Sequence, residues 1–340
     1  METTLRPLTL GEILDRTAQL YRTHFLLLAG IASIYSSVLL VLSLIQIGVQ
    51  EYFRARNLTS EMLWATIAGI LIMWPIMVIA GGLAVAANNR AVAWVHLGQQ
   101  ATIRSSYSSM LPRLGRLLWL MVITTFMVWA PLVVLYAAYT GFAVAYLKPK
   151  GAFTPHAAAP IDPQTLVVFL GTTLVFGVLL LCALVYAILM GLRYVLAVPA
   201  CVVEDLPARK AIRRSIELTK GARGRIFVLG LLVVAIEMGL VLITQVFFMY
   251  AIVKYHGQLP LGLRVLQQLV GFFTNTFVGP IYATGFTLFY YDQRVRKEGF
   301  DIEWMMRAAG LGSDESQAPG ALQAATPSSP ESATEASHER

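Results

Sequence analysis

A chain of 340 residues with 57% hydrophobic and only 13% charged residues, and a mean hydropathy of +0.65, lies far from the soluble balance of roughly a quarter charged. No water-soluble fold covers that much apolar surface, and the net charge of +7 has no basic soluble domain to carry it, which excludes nucleic acid as a partner. The composition predicts an all-α integral membrane helical bundle.

The chain opens on a helix start. Thr9 and Glu12 make a Ser/Thr-x-x-Glu capping box with Leu8 and Ile13 at the staple positions, so a helix begins near Leu10. Leu10, Ile13, Leu14, Leu20 and Tyr21 share one face, and Glu12, Asp15, Arg16, Gln19 and Arg22 share the other. Residues 1–24 are therefore expected to form an amphipathic elbow lying along the cytoplasmic leaflet. No secretory signal is visible, and Phe25 onward reads as an uncleaved first span.

A membrane domain over 25–310 follows, with six apolar runs: Phe25 to Val49, Met62 to Ala87, Leu117 to Leu147, Thr165 to Met190, Ile226 to Val253 and Leu266 to Tyr291. At about 1.5 Å per residue each is long enough to cross a core of about 30 Å. Their length, and the absence of a two-residue alternation, exclude strands.

The elbow recurs before the third run, where Ile103, Tyr107, Met110 and Leu111 oppose Arg104 and four serines. It recurs before the fifth, where Ile212, Ser215, Ile216 and Thr219 oppose Arg209, Lys210, Arg213, Arg214 and Glu217, and Gly221 ends the helix. The second and third copies align at a constant offset of 109, pairing Ile103 with Ile212, Gly115 with Gly224, Arg116 with Arg225 and Leu117 with Ile226. Three units, each an elbow and two spans, are the reading.

Pro75, Pro131 and Pro280 fall inside runs, where kinks are the ordinary outcome and a broken transporter-type helix at Gly279-Pro280 is the sharper one. Lys148 to Gln164 reads as a Pro/Ala-rich linker, and 311–340 as a disordered acidic tail. Cys182 and Cys201 read as small buried packing residues.

Leaving aside Arg193 at the end of the fourth run and Arg340 at the end of the tail, eighteen Lys and Arg residues lie on the elbow side of the runs and six on the other. The richer side is expected to be cytoplasmic, with both termini there and the chain multi-pass in the cell membrane.

Glu237, eleven residues into the fifth run, stands near the bilayer midplane, where an ionisable group must be neutral, paired or wet. Asn275 reaches a similar depth on the sixth, and a hydrogen bond between the two is expected, as structural glue or as part of a polar path. A second cluster gathers Asn88, Asn89, Arg90, Arg193, Glu204 and Asp292 at the cytoplasmic ends. Arg193 is expected to pair with Glu204 or Asp292, and the alternative is a pocket for a lipid headgroup phosphate.

Three stretches carry a resemblance. Arg6-Pro7-Leu8-Thr9-Leu10-Gly11-Glu12-Ile13-Leu14-Asp15-Arg16, the elbow from Val198-Pro199-Ala200 through Glu204 to Arg214-Ser215 and Leu218-Thr219-Lys220-Gly221, and the closing Tyr290-Tyr291-Asp292 with Arg296-Lys297-Glu298-Gly299-Phe300-Asp301 resemble the bacterial glycerophosphoryl diester phosphodiesterase membrane domain. The resemblance implies the membrane part of a phosphodiesterase without its catalytic domain. The five histidines are scattered singly, no His, Asp or Glu spacing suggests a metal site, and no nucleophile has an evident base. No catalysis, metal or cofactor is expected. The reading is a non-catalytic membrane protein that binds lipid, anionic by preference, or a membrane protein partner, through Arg90, Arg193, Arg209, Lys210, Arg213 and Arg214. The alternative is a small transporter or flippase with a path near Glu237.

Overall fold

The computed structural model describes residues 6–147, 162–256 and 259–308. Most of the expected linker and all of the expected acidic tail lie outside the described residues. Every regular element among the described residues is helical.

The first elbow, α1 (Leu10–Thr23), starts where the capping box requires. Thr9 Oγ1 accepts from the Glu12 N–H at 3.3 Å, and Glu12 Oε2 accepts from the Thr9 N–H at 2.7 Å. Two long helices follow, α2 (Phe25–Ala55) and α3 (Thr59–His96). The second elbow, α4 (Ile103–Met110), is capped by Thr102 and continues through a 3-10 turn at Leu111–Arg113 into α5 (Leu114–Leu147) and α6 (Pro163–Tyr194). A short helix, α7 (Ala197–Val203), precedes the third elbow, α8 (Ala208–Thr219), and the last long pair, α9 (Arg223–Lys254) and α10 (Leu261–Glu298). Gly221, at φ 83°, turns the chain out of α8 in a conformation that favours glycine. The order is an elbow and two long helices, three times over, as the 109-residue offset predicts.

Among the described residues five segments are long and apolar enough to cross a membrane: Phe25–Ala55, Trp64–His96, Ile103–Leu147, Pro163–Val203 and Arg223–Lys254. The sixth expected span, in α10, has length to spare at 38 residues but is too polar to join them. Its position explains this. α10 lies against α1, α2, α3, α8 and α9, its stretch from Thr276 to Val295 is largely buried, and its first half turns Gln267, Gln268 and Asn275 toward a cavity. A helix sheathed by protein has less need of lipid-soluble side chains.

The outer surface is apolar, with Ile70, Leu71, Phe126, Leu174 and Ile243 each more than half exposed. Acyl chains are the environment that satisfies such a surface. Contacts between the helices rely on small residues such as Ala86, Ala87, Ala91 and Ala187. At Gly82 an added Cβ would stand 2.6 Å from Met121 Sδ, so α3 and α5 approach closely there.

Helix α10 runs unbroken through Gly279-Pro280, against the broken-helix alternative, and nearby carbonyls take hydroxyl donors, Tyr21 giving to Phe277 O at 2.6 Å and Thr284 to Pro280 O at 2.8 Å. Two expectations are refined. Cys201 is buried, its thiol donating to Leu206 O at 3.3 Å, whereas Cys182 is exposed on α6. The elbows turn their less polar faces into the bundle, so those faces are met by protein and not by lipid. Ile13 and Thr17 of α1 are buried beside α10, Ser106 and Met110 of α4 beside α3, and Ala208, Ala211, Ser215, Leu218 and Thr219 of α8 beside α5, α6 and α7. Alanine, serine and threonine suit close helix contact better than insertion into lipid.

A second unit begins at Gly299, at φ 64°, and its described part holds α11 (Phe300–Ala308).

Candidate functional site

Two carboxylates organise the elbow end. Asp292, on α10, has a fully buried side chain that accepts from the Leu8 N–H at 2.8 Å, from Arg296 Nε at 3.0 Å and from Gln293 at 3.1 Å, with Arg225 at 3.2 Å. Arg225 and Arg296 also donate to the Leu8 carbonyl, at 2.8 and 2.5 Å. The strand of chain before α1 is thus held by its N–H and its carbonyl together. Charge-assisted bonds of this kind are about twice as strong as neutral ones.

Glu204, in the turn after α7, accepts from Arg214 Nε at 2.9 and 3.0 Å and from the Tyr290 hydroxyl, with Arg294 at 3.7 Å. The other end of the Arg214 guanidinium reaches Glu298 at 2.7 Å, and Arg294 Nε meets that same carboxylate at 3.2 Å. Burial opposes the charge on Arg214, but the bonds from Glu298 and Glu204 outweigh it and raise its pKa. Burial likewise opposes the charge on Glu298, and the bonds from Arg214 and Arg294 outweigh it and hold its pKa below the usual value. A fourth carboxylate, Asp205, takes Arg116 at 2.7 Å and also Arg113. These acids are neutralised by fixed guanidinium groups, an arrangement that fastens elements together rather than one that holds a reactive proton.

The residues singled out from the sequence separate into three sets. Arg90, Arg193 and Arg214 turn inward. Arg90 donates to Val202 O at 2.9 Å and lies 5.1 Å above the Trp94 ring, tying α3 to α7. Asn89 accepts from the Thr287 hydroxyl at 2.8 Å. Arg193 does not make the expected pair with Glu204 or Asp292: its guanidinium lies 3.9 Å from Met190 Sδ, and its carbonyl accepts from Ser215 at 2.7 Å. Arg214 and Arg294 have taken Glu204, and Arg225 and Arg296 have taken Asp292, so both carboxylates of this cluster are engaged by other guanidinium groups. The second set, Arg209, Lys210 and Arg213, is exposed on the outer face of α8, and no carboxylate among the described residues pairs with it.

The third set is Glu237 and Asn275. Both line a small cleft of about 170 Å³ between α9 and α10, together with Thr244, Gln245 and Thr274. They do not bond each other: Asn275 Nδ2 donates to Gly271 O of its own helix at 3.0 Å, and Glu237 is exposed on the surface of α9. The sequence reading missed Arg225, Arg296 and Leu8 as a unit. The one signal that could have found it is the pairing of Arg225 with Arg116 in the repeat, since both start a long helix and both clamp the chain ahead of an elbow.

Fold and site together define an α-helical membrane bundle closed at one end by ion-paired elbows. A family model described as the membrane domain of glycerophosphoryl diester phosphodiesterase matches residues 163–316, slightly under half of the chain. The match contains α6 to α10 and two of the three stretches that carried the resemblance, the third elbow and the closing helix; the opening motif lies outside it. Comparison with curated proteins and with solved structures gave no match.

Proposed function

We propose that the protein is a non-catalytic resident of the cell membrane whose elbow end faces the cytoplasm, carries both termini and holds anionic lipid on the outer face of α8. The observation that carries the reading is the division of labour along that helix. Arg214 is spent on Glu204 and Glu298, whereas Arg209, Lys210 and Arg213 stand exposed without a carboxylate partner. Because the opposite face of α8 is fixed against the bundle, the three cations are held outward in advance. Each basic residue near an anionic leaflet is worth about 1 kcal/mol. The non-catalytic reading draws support from the family match, which covers a membrane part of a phosphodiesterase.

The test uses the whole chain, since an isolated α8 peptide would bare the face that the bundle buries. In nanodiscs, a triple change of Arg209, Lys210 and Arg213 to Gln should weaken retention of phosphatidylglycerol over phosphatidylcholine by about tenfold or more, with the contrast shrinking as salt rises. Reporter fusions after Glu51 and after Arg214 should fall on opposite sides, the latter in the cytoplasm. Unchanged lipid selectivity in the triple variant would end the leaflet reading. The alternative of transport past Glu237 rests on the cleft it lines, which lies between two helices and is occupied in part by the bond from Asn275 to its own helix.

A further inference from the structure

At the end of the bundle opposite the elbows, α2, α3 and α10 enclose a cavity of about 410 Å³. Sequence reading finds few polar residues in the spans, and the fold gathers them here. Gln46 and Gln50 of α2 face Arg264, Gln267, Gln268 and Asn275 of α10 across it. Ser36 and Ser43 continue the polar lining along α2, and Leu39, Leu40, Met73 and Met77 form the apolar wall. A neighbouring cavity of about 440 Å³ shares Gln50, Arg264 and Gln267, and so extends the space toward the far ends of the helices.

Charge in the chamber is already matched. Arg264 pairs with Glu51 and donates to Gln50 Oε1 at 2.5 Å, and Arg54 lies at the rim, 3.6 Å from the same carboxylate. What remains is a set of amides, each able to give and to accept a hydrogen bond, beside the Ser36 and Ser43 hydroxyls, which donate to Ala32 O at 3.1 Å and Leu39 O at 2.8 Å and keep lone pairs that accept. One of them is unsatisfied: Gln46 Nε2 is buried and has no partner. Its amide is wedged against α3 at Gly69, where any side chain would collide with it. A buried donor without an acceptor costs about 1–3 kcal/mol, so a turn of the Gln46 amide away from Gly69 and into the chamber, where an occupant accepts from it, is favoured.

We propose that this chamber binds the neutral, hydroxyl-rich headgroup of a lipid, with an acyl chain running along the leucine and methionine wall. A phosphate only accepts, and would leave the amide oxygens of the glutamines without donors. A sugar or glycerol hydroxyl serves both sides of an amide. The apolar wall on the same cavity points to a lipid rather than a free polyol. This site is separate from α8, at the other end of the bundle.

The test is retention by the full-length protein in neutral detergent, read by native mass spectrometry with monogalactosyl diacylglycerol, phosphatidic acid and phosphatidylethanolamine of the same acyl chains, and with free galactose. The galactolipid should be retained about tenfold better than either phospholipid, and galactose alone should neither bind nor compete. Gln268→Leu and Ser43→Ala should each lower galactolipid retention several-fold, while the triple change at Arg209, Lys210 and Arg213 leaves it intact. Equal retention of the three lipids by the wild-type chain, preference for phosphatidic acid, or full competition by galactose would overturn the proposal. If Gln268→Leu fails to fold, Ser43→Ala and the wild-type comparison still decide it.

Discussion

Glu298 shows how much of this molecule turns on where a single guanidinium points. Its carboxyl shares Arg214 with Glu204 and takes Arg294 as well, and those bonds lower its pKa from the ordinary value of 4.5 despite partial burial. A carboxyl whose folded pKa is depressed adds stability that is fully present above the unfolded value and is lost as pH falls through the folded one. Because the group is mostly exposed, its share is discounted for solvent to about 1 kcal/mol or less. Glu298→Gln should therefore melt slightly lower than wild type at pH 7, and the two should converge as the pH drops below 4.5. Melting curves in detergent at a series of pH values check this, and a gap that stays constant across the series would mean that ionisation of Glu298 does not support the elbow. None of these partners could be chosen from the sequence. Glu204 has Arg193, Arg214 and Arg294 as candidates, and only the turn of α8 against α7 and α10 decides for the last two over the first.

Elbow α8 was legible as an element and illegible as a contact. Its start, its end at Gly221 and its two-faced pattern can be read from residue types, because helix periodicity and glycine conformation are local properties. Which medium meets the less polar face is a tertiary matter, and a membrane protein offers two apolar environments, lipid and protein. The small side chains Ala208, Ala211 and Ser215 held the clue, since they bury little area for lipid but let helices touch. The two environments separate on substitution. Ala211 has no exposed surface, so Ala211→Leu must overpack the junction with α5 and α7 and should cost about 1–3 kcal/mol. Arg213→Leu, on the exposed side of the same helix, should change stability by about 0.5 kcal/mol or less. Thermal unfolding of the two variants in one detergent compares them directly, and equal stability would mean that packing around Ala211 does not hold α8 to the bundle.

Across the whole molecule the threefold pattern has a mechanical meaning that the residue offset only hinted at. Six long helices and three elbows follow from hydropathy and caps, while the neighbours of α10 do not, because a run of residues shows which side chains are polar but not what faces them. Once α10 is in the middle, they become the lining of a cavity at one end and the Asp292 clamp at the other. The clamps also run from unit to unit. Arg116, at the start of α5, holds Asp205 ahead of the third elbow by its carbonyl and its carboxylate, and Arg225, at the matching place on α9, holds Leu8 ahead of the first elbow together with Asp292. The two clamps differ in burial, the Asp205 side chain being 43% exposed and that of Asp292 0%. Exposed ion pairs are worth about 0–1 kcal/mol, whereas breaking a buried one costs about 3–5, lowered here because Arg296 still attends Asp292. Arg116→Gln should therefore leave the melting temperature nearly unchanged and at most loosen the chain around Asp205. Arg225→Gln should cost about 2–3 kcal/mol and release the segment before α1, seen as faster protease cleavage or hydrogen exchange near Leu8. If Arg116→Gln proved as damaging as Arg225→Gln, or if Leu8 stayed protected in the latter, then burial of Asp292 would not be what fastens the first unit to the last.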